Sequence, residues 1–203
     1  MTKVMTPSAT TEITDGQIDK ATELYRAMLK KHRHEFTSKV AQDVLGQPEF
    51  VGEMVTVLRK RVEAASEMIV RRVKVNRLRS PQEAIDATGR KQYTDRKVVD
   101  SMPQGEGEEV DVYFFPLREY RSVQDVQRML DERGLKPDPY VVSAVNEADP
   151  SFADEKPNGT QWLDKDGRHC CVAFDRWRGG RGVFCSRSDG GWRDGWWVGG
   201  VRK

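Results

Sequence analysis

Apolar residues recur at helical spacing in two stretches of the N-terminal third. The first set is Ile18, Ala21, Leu24, Tyr25, Met28 and Leu29. The second set is Phe50, Val51, Met54, Val57, Leu58, Val62 and Ala65. Each set lies on one face of an amphipathic helix. With a capping box at 14–17 and a short helical piece over 39–45, residues 13–68 are predicted to form a helical hairpin segment. We interpret the two stripes as a shared core; a partner-binding groove is the alternative.

The period changes at residue 69, where apolar and basic positions begin to alternate. Val73 and Val75 alternate with Arg72 and Lys74, which predicts a half-buried strand with a basic outer face. A capping box at 80–83 then predicts a helix that ends near Gly89. Further on, the pattern predicts a short helix capped by Thr94, a strand over 110–117, and helices over 123–133 and 140–148.

The remaining residues, 160–203, are called the Trp/Arg segment, and here the pattern predicts a meander. Short strands are expected over 161–163, 168–175, 182–187 and 192–198, separated by glycine-rich turns. Asn158-Gly159-Thr160 is interpreted as a turn before them. The predicted fold class is therefore α+β: a disordered tail at 1–12, the helical hairpin segment at 13–68, and an α+β domain at 69–203 that ends in an antiparallel β-meander.

The amino-acid composition predicts a soluble protein. Of the 203 residues, 37% are hydrophobic and 33% charged, and the mean hydropathy is −0.72. No run approaches the roughly 18 apolar residues that span a bilayer, so no membrane partner is expected. The first 12 residues lack the apolar core of a secretion signal. The three cysteines are accordingly interpreted as reduced thiols in a cytoplasmic protein.

Charge is distributed unevenly along the chain. Residues 69–79 carry five basic residues and no acidic one, residues 94–157 have 8 basic and 15 acidic residues, and the Trp/Arg segment has nine basic and five acidic residues. Two interpretations follow. The charges neutralise each other within the fold, or they form separate surfaces for separate partners.

The Trp/Arg segment holds all five tryptophans and all three cysteines, and it is the first candidate for a binding surface. Its tryptophans form either the core of a small sheet, a protein interface or a nucleic-acid platform. The strand predicted from residue 69, called the basic strand, adds three basic residues to this surface. The candidate binding residues are Trp177, Arg178, Arg181, Trp192, Arg193, Trp196 and Trp197 of the Trp/Arg segment, and Arg71, Arg72 and Lys74 of the basic strand.

Catalytic and metal chemistry receive little support from residue spacing. Cys170 and Cys171 are adjacent on a predicted strand and point to opposite faces, so they do not share a metal ion. Cys170 is expected to pack inward, with Val172 and Phe174. His169 and Cys171 share a face, but no oxyanion donor is identifiable. We expect no metal and no cofactor, and an enzyme that uses His169, Cys171 or Asp175 is the third hypothesis.

The leading hypothesis is a small cytoplasmic accessory protein, without enzymatic activity, that binds another protein through an aromatic and basic face of its C-terminal sheet. The charge segregation and the lack of catalytic spacing favour it. The alternative is a nucleic-acid-binding protein that uses the basic strand 69–79 together with the Trp/Arg segment.

Overall fold

A computed structural model describes residues 13–65, 67–177, 179–188 and 190–203. The chain divides into two compact units, residues 1–60 and 61–203. The predicted tail at 1–12 and the candidate residue Arg178 lie outside the described residues.

The N-terminal helices occupy the positions that the apolar spacing predicts. They are α1 (Asp15–Lys31), a 3-10 turn (Arg33–Glu35), α2 (Ser38–Leu45) and α3 (Pro48–Ala65). The capping box at the start of α1 is present, since the Thr14 hydroxyl accepts from Gln17 N and the Gln17 side chain accepts from Thr14 N. No residue of α1 is buried, so its stripe does not form the expected shared core with the stripe of α3.

The second unit contains both helices and strands, which confirms the α+β class. The strands are β1 (Ile69–Lys74), β2 (Lys91–Thr94), β3 (Glu109–Pro116), β4 (Leu135–Lys136), β5 (Asn158–Leu163), β6 (His169–Trp177), β7 (Gly180–Arg187) and β8 (Trp197–Arg202). The helices are α4 (Pro81–Asp86), α5 (Arg96–Val99), α6 (Val123–Glu132), α7 (Pro139–Ala148) and α8 (Phe152–Glu155). No helix within the described ranges is long and apolar enough to cross a bilayer.

All eight strands belong to one mixed sheet, in the order β1-β3-β8-β5-β6-β7-β2, with β4 beside β8. The pairs β5/β8 and β2/β7 are parallel, and the other pairs are antiparallel. The strands β5, β6 and β7 form the expected antiparallel meander. β8 leaves it and inserts between β3 and β5, and it begins at Trp197 instead of residue 192 because Trp192 makes only an isolated bridge to Arg121.

The two faces of the sheet are covered to different extents. On the first face, α4, α5, α7 and α8 pack over side chains such as Phe114, Val172 and Phe174 in the larger apolar cluster. On the second face, α6 packs with Phe115 and Val198 in the smaller cluster. Among the described helices of residues 67–203, none packs over the second face of β6, β7 and β2, which is called the open face below.

Two local expectations are wrong. Asn158-Gly159-Thr160 is not a turn but the start of β5, where the buried Asn158 side chain accepts a hydrogen bond from Asn146 of α7. The helix expected after Thr94 is α5, and its cap is Asp95, whose carboxylate accepts from Lys97 N at 2.9 Å. Thr94 is instead the last residue of β2.

Candidate functional site: the open aromatic face

A row of directly opposite residues crosses the open face. Gly159, Ala173, Phe184 and Tyr93 follow one another in register on β5, β6, β7 and β2. Directly opposite residues share a face. The rings of Tyr93 and Phe184 therefore meet, and they stack with centroids 4.9 Å apart and planes 10° apart. Tyr93 keeps 42% of its surface exposed.

Two further side chains extend this aromatic surface. Trp177 lies on the same face of β6 as Ala173, because the two positions differ by an even number of residues, and it is 54% exposed. The Lys91 ammonium lies 5.4 Å from the centroid of the Tyr93 ring, within the range of a cation–π interaction. The open face thus combines exposed aromatic rings with a positive charge.

Trp192 and Trp196 form one border of the open face. Trp192 is buried and packs over Gly159, where an added Cβ would lie 2.7 Å from its Cη2 atom and 2.3 Å from the Val172 carbonyl oxygen. Trp196 meets it edge to face at 5.4 Å. A cavity of about 230 Å³ adjoins them, and its lining residues are Cys171, Ala173, Ser188, Gly191, Trp192, Arg193 and Trp196.

Gln161 holds Trp192 in place. Its side chain is fully buried, and its Oε1 accepts a hydrogen bond of 2.8 Å from Trp192 Nε1. Its Nε2 donates to the Val123 carbonyl at the start of α6, at 2.7 Å. The side-chain amide of Gln161 therefore links β5 to α6 and to the loop that contains Trp192, and it fixes the wall of the cavity that Trp192 forms.

Cys170 and Cys171 point to opposite faces of β6, as the alternation of side chains along a strand predicts. Cys170 is buried in the larger apolar cluster with Val172 and Phe174, which confirms that expectation. Cys171 points to the open face, and burial raises the pKa of its thiol to about 11. The reactive form of cysteine is the thiolate, so this thiol is protonated and unreactive near neutral pH. No group of His, Cys, Asp and Glu suited to a metal ion occurs among the residues that the structure describes.

Asp175 also points to the open face, opposite Gly182. A Cβ at Gly182 would lie 3.2 Å from Asp175 Oδ1 and 3.2 Å from the Phe184 ring, so the carboxylate and the ring both approach this glycine. The Oδ1 atom is buried and has no hydrogen-bond partner in the described part of the chain. Burial raises the pKa of this carboxyl group.

The basic strand lies away from the open face and is engaged within the fold. β1 is an edge strand, about 19 Å from β6 at four strand spacings. Arg72 pairs with Asp111 through bonds of 2.8 and 3.1 Å, the Arg71 guanidinium lies 4.9 Å from the Phe152 ring centroid, and Lys74 is exposed. Charged residues are typical of edge strands, where they oppose edge-to-edge association.

The remaining candidate residues divide between the two faces. Arg193 is exposed and lies with Trp177, Trp192 and Trp196 on the side of the open face. Arg181 lies on the other face, where it pairs with Asp154 at 2.7 Å and its hydrogen bond lowers the pKa of that carboxyl group. Trp197 packs against the larger apolar cluster, on the face opposite to Trp196 and Trp192.

No family model, curated protein or solved structure matches this chain. Its function is therefore inferred from its own geometry.

Sequence reasoning missed Tyr93 and Phe184, which are central to the open face. Tyr93 lies in a four-residue strand that the pattern did not predict, and the parallel pairing of that strand with β7 brings two residues 91 positions apart into contact. The only local signal was an aromatic residue in a short stretch after Gly89.

Proposed function

We propose that this protein binds another protein through its open face and has no enzymatic role of its own. The observation that carries the proposal is the stacked pair of Tyr93 and Phe184 on strands that no described helix of residues 67–203 covers on that side. Exposed apolar patches with a polar rim are typical of protein interaction sites. Tyrosine, tryptophan and arginine, all present on or beside this face, dominate the residues that supply binding energy.

The cavity beside Trp192 indicates what the partner presents. At about 230 Å³ it holds one large apolar side chain and is too small for most drug-sized ligands. Its Trp192 wall is fixed by the two hydrogen bonds of Gln161, so little ordering is required when a side chain enters. We infer a partner that inserts an aliphatic or aromatic residue here and covers Tyr93 and Phe184 with the surrounding surface.

The alternative, nucleic-acid binding, receives less support. Arg77 donates to both carboxylate oxygens of Asp138, at 3.0 and 2.8 Å, and Arg79 pairs with Glu147. Arg72 likewise pairs with Asp111. A phosphate that binds Arg72, Arg77 or Arg79 would therefore have to displace a carboxylate that already pairs with it. The raised pKa of Cys171 likewise gives the enzyme hypothesis little support.

Three cysteines that form no disulfide support a reducing compartment, and we infer a cytoplasmic location.

Parallel affinity purification tests the proposed function. The wild-type chain and the variants Tyr93→Ala and Trp177→Ala are immobilised, and Leu78→Ala serves as a matched control because Leu78 is 96% exposed but lies outside the open face. A protein retained by wild type and Leu78→Ala and lost from both aromatic variants supports the proposal. Retention that does not change in either aromatic variant, or no stoichiometric protein under several lysis conditions, contradicts it.

A fluorescence titration with short RNA and DNA at two salt concentrations tests the alternative. All tryptophans lie in the Trp/Arg segment, so a base stacked on Trp177 quenches the emission. Our proposal expects no saturable quenching. Quenching whose affinity falls steeply with salt favours nucleic-acid binding instead.

A further inference from the structure

A second cavity, called the basic cavity, lies on the first face of the sheet, between α5 and the turn that joins β5 to β6. Its volume is about 670 Å³, a size typical of small-molecule sites. Four basic residues line it: Lys97 of α5, Lys165 and Arg168 of the turn, and Arg187 of β7. Arg187 is directly opposite Cys170, which is buried in the larger apolar cluster. The basic cavity and the open face therefore lie on opposite sides of the sheet.

Asp164 holds the turn in place beneath the basic cavity. Its Oδ1 accepts hydrogen bonds of 2.9 Å from the backbone amides of Asp166 and Arg168. These bonds, above all the one from Arg168, lower the pKa of the Asp164 carboxyl group, so it is ionised near neutral pH. Its Oδ2 lies 3.4 Å from Arg168 Nε and 3.4 Å from Arg187 Nη2, and Arg168 also pairs with Asp166. The two carboxylates of the turn are thus balanced by two guanidinium groups.

Two positive charges of the lining remain without a partner. Lys97 and Lys165 are exposed, and neither ammonium group pairs with a carboxylate among the described residues. The third acid of the lining, Asp100, pairs with Arg96 outside the cavity, at 3.0 Å. Arg187 also has unused capacity, because its buried Nε has no acceptor in the described part of the chain and its Nη2 bond is long, at 3.4 Å.

We propose that the basic cavity binds a small phosphorylated molecule, with the phosphate held by Lys97, Lys165 and Arg187. A phosphate monoester carries close to two negative charges at neutral pH, which match the two unpaired ammonium groups. Oxyanions are also the strongest acceptors for a guanidinium group. Unlike the arginines of the basic strand, the two lysines give up no carboxylate when they bind an anion. The proposal does not rest on protein binding at the open face.

Isothermal titration calorimetry of the full chain tests this site. Glucose 6-phosphate and inorganic phosphate are titrated separately, in phosphate-free buffer at constant ionic strength, and saturable binding is expected. Lys97→Ala and Lys165→Ala should each raise the Kd about tenfold, because each removes one charge from the phosphate. The matched control is Lys136→Ala, which removes an exposed lysine of β4 outside the cavity and should leave the Kd unchanged. Circular dichroism checks that each variant is folded.

The two titrations also distinguish the source of the phosphate. Tighter binding of glucose 6-phosphate supports a phosphate ester whose organic part occupies the rest of the cavity, and equal affinities support free phosphate as the ligand. The proposal is overturned by the absence of saturable binding of either anion. It is also overturned if Lys97→Ala or Lys165→Ala weakens binding no more than Lys136→Ala does.

Discussion

Replacing Gln161 with leucine tests whether this buried amide holds the Trp192 border of the open face. The side chains are similar in volume, so packing changes little, while both hydrogen bonds are lost. Trp192 Nε1–H loses its 2.8 Å acceptor, and the Val123 carbonyl loses its 2.7 Å donor. Gln161 is fully buried and Trp192 nearly so, so water does not readily replace either bond.

The expected cost follows from the two groups left without partners. Each buried polar group that loses its hydrogen bond costs about 1–3 kcal/mol. The two together cost about 2–6 kcal/mol, and the removal of a buried polar amide offsets part of this. We therefore expect Gln161→Leu to lower the free energy of unfolding by about 2–4 kcal/mol. With a urea dependence of about 1–3 kcal/mol per molar, the midpoint falls by about 1 M or more.

Urea unfolding followed by tryptophan emission measures this change. The control is Gln124→Leu, an exposed glutamine on α6, which is expected to stay within about 0.5 kcal/mol of wild type. In Gln161→Leu the native emission should also shift, because Trp192 loses its acceptor. A variant that unfolds at the wild-type midpoint with unchanged emission would falsify the role given to Gln161.

Three further predictions concern other contacts of the second unit. Gly159→Ala places a methyl group against Trp192, so we expect the free energy of unfolding in urea to fall by about 1–3 kcal/mol and the tryptophan emission to shift to the red. An unchanged emission spectrum would contradict the close approach of Trp192 to Gly159. Asp138→Ala removes the cap of α7 and leaves the Arg77 guanidinium without its carboxylate, which should cost about 4 kcal/mol in urea unfolding. Asp138→Asn keeps an acceptor for the cap and should cost less; equal losses would mean that the cap contributes nothing beyond the charge of the carboxylate. Since the pKa of Cys171 is about 11, its thiolate fraction at pH 8 is about two hundred times lower than that of an ordinary thiol. Alkylation of Cys171 should therefore be slow at pH 8 and accelerate as the pH approaches 11, and rapid labelling at pH 8 would refute the burial of this thiol.

Local patterns were sufficient to place most helices. The capping boxes that begin α1, α4 and α6 are all formed, at Thr14, Ser80 and Ser122. Their hydrogen bonds close within three residues, so the neighbouring sequence alone specifies them. Alternation also assigned Cys170 to the core correctly, because successive residues on a strand point to opposite faces.

Only the tertiary structure shows which strands are neighbours in the sheet and which residues make up the candidate site. A period of two assigns a residue to one of two faces, but it does not identify the strand beside it. Nothing near Trp197 indicates that β8 inserts between β3 and β5, or that Trp197 and Trp196 end on opposite faces. Asn158 likewise resembles a turn residue until Asn146 supplies its buried partner.

The sequence by itself therefore determined the class of the fold, most of its helices and the inward side of β6, all of which depend on interactions between residues close along the chain. It also identified the tryptophans as unusual, but not which of them border a surface. Only the tertiary structure paired β2 with β7, stacked Tyr93 on Phe184 and brought the distant carboxylates of Asp111 and Asp138 to Arg72 and Arg77. The physical reason is that these contacts join residues far apart in sequence, whose approach depends on how the whole sheet assembles.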